Sequence, residues 1–179
     1  MAIEMVFNSD AGGSLHELHV SIGDLIEERL REREDFKLVR DKDCGGDQSI
    51  PLFCSGVKSR RTEYCNVDLL VIQDGMIRVI VEIEESDVKP TQICGKFLTS
   101  ALARYYIHET EENPIGMHDS VTFIQVVSTS GLKRLSVKPH QWKNLEVSIR
   151  NMLPLKNSNI NEYRLFTDLE LTDLIYYIP

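Results

Sequence analysis

The stretch VDLLVIQDGMIRVIVEIE, Val67 to Glu84, holds two apolar runs separated by Gln73-Asp74-Gly75. Val, Ile and Leu at this density favour extended chain, and Asp-Gly between two such runs signals a hairpin, because these residues accept the positive φ of a tight turn. Two antiparallel strands, Val67 to Ile72 and Met76 to Glu84, are therefore expected at the centre of a sheet. Side chains alternate along a strand. Arg78, Ile80, Glu82 and Glu84 should share one face of the second strand, with Ile77, Val79, Val81 and Ile83 on the other.

Whether Asp68 joins the two glutamates depends on the turn, since a slip of one residue moves every side chain to the opposite face. A two-residue Asp74-Gly75 turn pairs Asp68 with Val81 and directs it away. A three-residue Gln73-Asp74-Gly75 loop pairs it with Ile80, diagonal to Glu82 at about 7–8 Å between backbone positions. The three-residue loop, with a bulge at Gly75, is the expected one, because a type I turn followed by a left-handed glycine closes such a hairpin.

Working outward, Leu15, Leu18, Ile22, Leu25, Ile26 and Leu30 recur at helical spacing and predict a helix over 14–33. Ser14 and Glu17 have the spacing of a capping box. Phe36 to Arg40 reads as a strand, and 41–61 as an irregular connection with one small strand at Ile50 to Phe53. Beyond Pro90, the residues Ile93, Phe97, Ala101 and Tyr105 predict a second helix to about Glu109. Val121 to Ser128 is apolar enough for a strand buried on both faces. A third helix carries Trp142, Leu145, Ile149, Met152 and Leu153 and stops at Pro154, before a short strand from Tyr163 to Phe166. The fold class is α/β, a mixed central β-sheet flanked by helices, in a single domain over 1–179. The apolar ending Leu174 to Ile178 must pack, either on this domain or on a second subunit of a homodimer.

At 179 residues the chain is long enough for one substantial core. No apolar run approaches the roughly 20 residues that span a bilayer, and residues 1–4 lack the basic start of a signal peptide, so no membrane partner and a cytoplasmic location are expected. Cys44, Cys54, Cys65 and Cys94 should then be thiols, and their spacings match no short pair of a structural zinc site. The net charge of −8 weighs against a nucleic-acid partner. Against that stand two basic clusters, Lys58, Arg60 and Arg61, then Lys133, Arg134, Lys138 and Lys143, which are either solvated loops or a phosphate track.

Three carboxylates gathered beside Ile80 and Leu70 repel one another unless a cation neutralises them, and hard oxygen ligands select Mg²⁺ or Mn²⁺ over zinc. The plain alternative leaves Glu82 to Glu85 on a solvated strand end, binding nothing.

Asp68, a hairpin, then Glu82-Ile83-Glu84 on an apolar strand, with helices before and after, resembles the core of the PD-(D/E)XK nucleases. The likeness covers roughly Ser14 to Ser128. It implies a restriction endonuclease-like core, metal ligation by Asp68 and Glu82, Mg²⁺ or Mn²⁺ as cofactor, and hydrolysis of DNA by a restriction or repair type of endonuclease. Two positions depart from the pattern: Asn66-Val67 replaces the usual proline before the aspartate, and Glu84 stands where a lysine is usual. Some relatives of that pattern recruit a lysine from the following helix, which implicates Lys96, with Gln92 one turn earlier on the same face. The first helix often adds an acid, for which Glu17 is the candidate. His16 and His19 read as surface or interface residues. The expected catalytic set is Asp68, Glu82, Glu84, Lys96 and Glu17; the alternative is an inactive module of the same fold that binds nucleic acid or protein.

Overall fold

A computed structural model describes residues 15–110 and 113–179. The elements run α1 (Leu15–Leu30), β1 (Phe36–Arg40), β2 (Pro51–Phe53), β3 (Glu63–Asn66), β4 (Leu69–Gln73), β5 (Met76–Glu84), α2 (Pro90–Leu102), β6 (Tyr105–Tyr106), β7 (Ile115–Val127), α3 (Lys138–Met152), β8 (Ile160–Thr167) and α4 (Leu171–Leu174), closing in a 3-10 turn (Ile175–Tyr177). Ser14, half of the expected capping box, lies outside the described residues.

The hairpin of β4 and β5 closes through two residues, not three. Gln73 pairs with Met76, and Asp74 and Gly75 both take positive φ, 49° and 77°, as a type I′ turn requires. Taken alone, that turn would direct Asp68 away from the glutamates. The register is restored further along: Val71 pairs with Val79 but Ile72 with Ile77, so Arg78 is an extra residue, a bulge on β5. Leu69 then faces Val81, and one more step brings Asp68 abreast of Glu82.

The bulge also moves Ile77 to the face opposite the one expected. Ile77 packs with Ile80, Leu70 and Ile72, while Val79, Val81 and Ile83 pack with Leu69 and Val71 on the other side. The bulge is held from the next strand, where the Arg78 guanidinium donates to the carbonyl of Ser120 and lies 3.4 Å from Nδ1 of His118.

β4 runs antiparallel to its neighbours β1 and β5, whereas β5, β7 and β8 run parallel, so the sheet is mixed. The first part of β7 pairs with β6, and β2 and β3 extend that side. Ile93 and Phe97 of α2 and Trp142 and Ile149 of α3 cover one face; Ile22, Ile26 and Leu30 of α1 cover the other. The chain is thus α/β with an open mixed sheet between helices.

Three expectations change. α2 stops at Leu102, not near Glu109, because Arg104 N–H donates to the Phe53 carbonyl and Tyr105 and Tyr106 pair with β2 and β7. Sheet pairing here overrides helical spacing. β3 is an additional strand just past the 41–61 connection, where none was expected. The apolar ending packs on its own sheet, with Leu174 and Ile178 buried in the α1 cluster, which removes the reason for a second subunit there. Among the described residues no helix is long and apolar enough to cross a membrane.

Candidate active site

The four residues Asp68, Glu82, Glu84 and Lys96 meet where β4 begins and β5 ends, roofed by α2. Glu82 is only 1% exposed and Glu84 is buried, so neither lies on a solvated strand end. Asp68 Oδ2 accepts the Ile83 N–H at 2.6 Å, which ties the aspartate to the glutamate strand. Lys96 reaches from the middle of α2, its Nζ 2.9 Å from Glu82 Oε2 and 3.2 Å from Glu84 Oε1. One ammonium from the helix thus bridges both glutamates of the strand.

Charge is not balanced. Burial, reinforced by Asp68 and Glu84, pushes the Glu82 carboxyl up to about 8 despite the Lys96 ammonium beside it. Burial also raises Asp68, although the Ile83 N–H, Lys96 and His19 act against it. Burial alone would lower Lys96; Glu82, Glu84 and Asp68 outweigh that and raise it, so it stays an ammonium at any working pH.

The second oxygen of Glu82, Oε1, is buried with no hydrogen-bond partner. Native proteins seldom leave a buried carboxylate oxygen bare. Among the described residues no three His, Cys, Asp or Glu side chains already converge as a cage. Mg²⁺ does not need one: it is usually held by one or two carboxylates, keeping waters and substrate oxygens in its other positions. A bare oxygen of Glu82, with Asp68 alongside and only oxygen donors on the two strands, fits such an ion and does not fit a structural zinc site.

Glu17 is exposed in the first turn of α1; the helix side chain that faces the acids is His19. His19 is buried, its Nδ1 2.8 Å from the Leu15 carbonyl and its Nε2 4.0 Å from Asp68 Oδ2. The Leu15 carbonyl can only accept, so Nδ1 carries a proton there and Nε2 is the nitrogen turned toward Asp68. The spacing His19, Ile22, Ile26, Leu30 puts it on the buried stripe of α1, a signal available in the sequence. Gln92 is not in the cluster: its Oε1 accepts the Lys89 N–H at the start of α2.

Behind Glu84 the polar chain continues inward. Gln125 Nε2 donates to Glu84 Oε1 at 3.3 Å, and Tyr163 Oη donates to Gln125 Oε1 at 2.8 Å. A glutamine within the apolar strand Val121 to Val127 was the sequence sign of this link.

The basic clusters divide. Lys58 Nζ donates to the carbonyls of His108 and Glu109, Lys138 to that of Ser86, and Lys143 pairs with Glu146. Arg60, Arg61, Lys133 and Arg134 are exposed. The four cysteines are free thiols, with Cys44 wholly buried.

No protein-family model, no curated protein and no solved structure matches the chain.

Proposed function

We propose that the chain is a Mg²⁺- or Mn²⁺-dependent deoxyribonuclease with a restriction endonuclease-like core of the PD-(D/E)XK type. The observation that carries the reading is the Glu82 carboxylate, buried with one oxygen bare, beside Asp68 and under Lys96. The order α1, β1, β4, β5, α2, β7 around that site supports it as well.

Asp68 and Glu82 are the residues that would hold the ion, with His19 Nε2 facing the same place. A divalent cation there supplies a lowered pKa for water and neutralises charge on a phosphoryl group. Lys96 keeps its proton, so it serves as a fixed positive charge toward the phosphate and the attacking water. Glu84 and Glu82 Oε2 share the Lys96 ammonium, and Glu82 Oε1 is the oxygen left to face the ion. The burial of Glu82 and Glu84 excludes bulk water from their carboxylates and strengthens each interaction there. Arg60, Arg61, Lys133 and Arg134 are the cations available to a DNA backbone.

Calorimetric titration with Mn²⁺ tests the reading. Wild type should bind, and Asp68→Ala and Glu82→Ala should not. Plasmid cleavage with Mg²⁺ should disappear with Glu82→Ala. A chain that takes up no Mn²⁺ at millimolar concentration is not this enzyme. The net charge of −8 favours a second reading, an inactive module of the same fold; it predicts DNA or protein binding that survives Glu82→Ala, with no cleavage in any metal.

A further inference from the structure

Gln125 is fully buried on β7, in the parallel pair with Glu82 of β5. An amide in such a place is costly unless both ends are bonded. Both are: Tyr163 Oη donates to Oε1 at 2.8 Å, and Nε2 donates to Glu84 Oε1 at 3.3 Å. Lys96 Nζ lies 3.2 Å from that same Glu84 oxygen. Only one amide orientation works, because reversal would face the Gln125 carbonyl with the Glu84 carboxylate.

The far end of this chain is rigid. The Tyr163 ring stacks on Phe123 with centroids 6.0 Å apart and takes Phe97 edge-on at 5.2 Å. Burial pushes the phenol well above its ordinary range, so the hydroxyl remains a donor throughout the working pH range. A packed aromatic core therefore dictates where one oxygen of Glu84 points.

We infer that Gln125 and Tyr163 are positioning residues, which hold the Glu84 carboxylate so that it keeps Lys96 at the candidate active site. The expected effect on rate rests on the hydrolytic function proposed above; the holding of Lys96 does not. If the phenol and amide merely satisfied each other, their loss would lower stability and leave Lys96 unchanged.

The full-length protein tests this with Tyr163→Phe, which keeps the ring, with Gln125→Met, which keeps the length, and with Ile149→Val as a core control on α3. Acetylation of Lys96 by an N-hydroxysuccinimide ester, followed by mass spectrometry, should be about fivefold faster in the first two variants, as the loss of one hydrogen bond gives. It should be unchanged in Ile149→Val. Plasmid cleavage with Mn²⁺ should lose about tenfold in kcat at unchanged KM. Wild-type labelling rates in Tyr163→Phe overturn the inference, whether or not Gln125→Met folds. Failure of the wild type to cut DNA overturns the nuclease reading instead, and the labelling result still decides the positioning one.

Discussion

Lys96 Nζ lies 2.9 Å from Glu82 Oε2, and it leaves the other oxygen of that buried carboxylate bare. The side chain of Lys96 is 40% exposed while that of Glu82 is 1% exposed. The lysine thus enters from solvent and the glutamate cannot leave. Under the proposed function this asymmetry would separate two roles, holding an ion and presenting a charge.

Lys96→Met should abolish chemistry and spare binding. Cleavage should fall by about 10²-fold or more, in the range for loss of a group that acts in the transition state. The Mn²⁺ dissociation constant should stay within a few-fold or tighten, because the ion no longer competes with an ammonium. Equal loss of binding and cleavage would show Lys96 to be part of the ion's seat.

Glu82 makes the ion-free protein sensitive to pH. Its folded pKa, about 8, lies above the ordinary 4.5, so the fold prefers the protonated form. That contribution is complete below pH 4.5 and is lost as pH rises toward 8. Asp68 is raised too and acts with the same sign, whereas Lys96 titrates outside this window. The melting temperature without metal should therefore decline from pH 5 to 8, and Mg²⁺ should restore it at pH 8. Glu82→Gln should flatten the decline and ignore Mg²⁺. A wild-type curve with no slope in this interval would refute the assignment.

His19 and Glu17 give a paired comparison on one helix. His19→Gln should weaken Mn²⁺ binding by about tenfold or more, the cost typical of disturbing groups that support a metal ligand. Glu17→Gln should leave it unchanged, since Glu17 is exposed. Titration calorimetry on both variants checks this, and the reverse order would return the helix role to Glu17.

Arg78→Ala leaves the Ser120 carbonyl without its guanidinium donor and removes the tie that holds the β5 bulge to β7. A loss of about 1–3 kcal/mol is expected in urea unfolding, the usual cost of an unsatisfied partly buried acceptor. A change within about 0.5 kcal/mol would match an ordinary surface site and remove Arg78 from this role.

The layout of the hairpin was legible in the residues because alternation and an Asp-Gly turn are local signals. The shared face of Glu82 and Glu84 followed from the same rule. The link to Asp68 was anticipated by the wrong route: a three-residue loop was expected, whereas a two-residue turn and the bulge at Arg78 deliver the same face. That bulge is stabilised 42 residues away by Ser120, a contact that no local pattern contains. The end of α2 was misplaced for a similar reason, since Tyr105 and Tyr106 are claimed by strands distant in the chain. His19 is different. Its position on the buried stripe of α1 was visible, and only the general habit of histidine to sit at surfaces argued otherwise.

The bulge at Arg78 also bears on how sequences of this kind should be compared. Removing Arg78 itself would take out the bulge and leave Asp68 abreast of Glu82, whereas removing one other residue between them, with the turn and the bulge kept, would put the two acids on opposite faces. For this hairpin, the number of residues between the acids carries meaning only together with the presence or absence of the bulge.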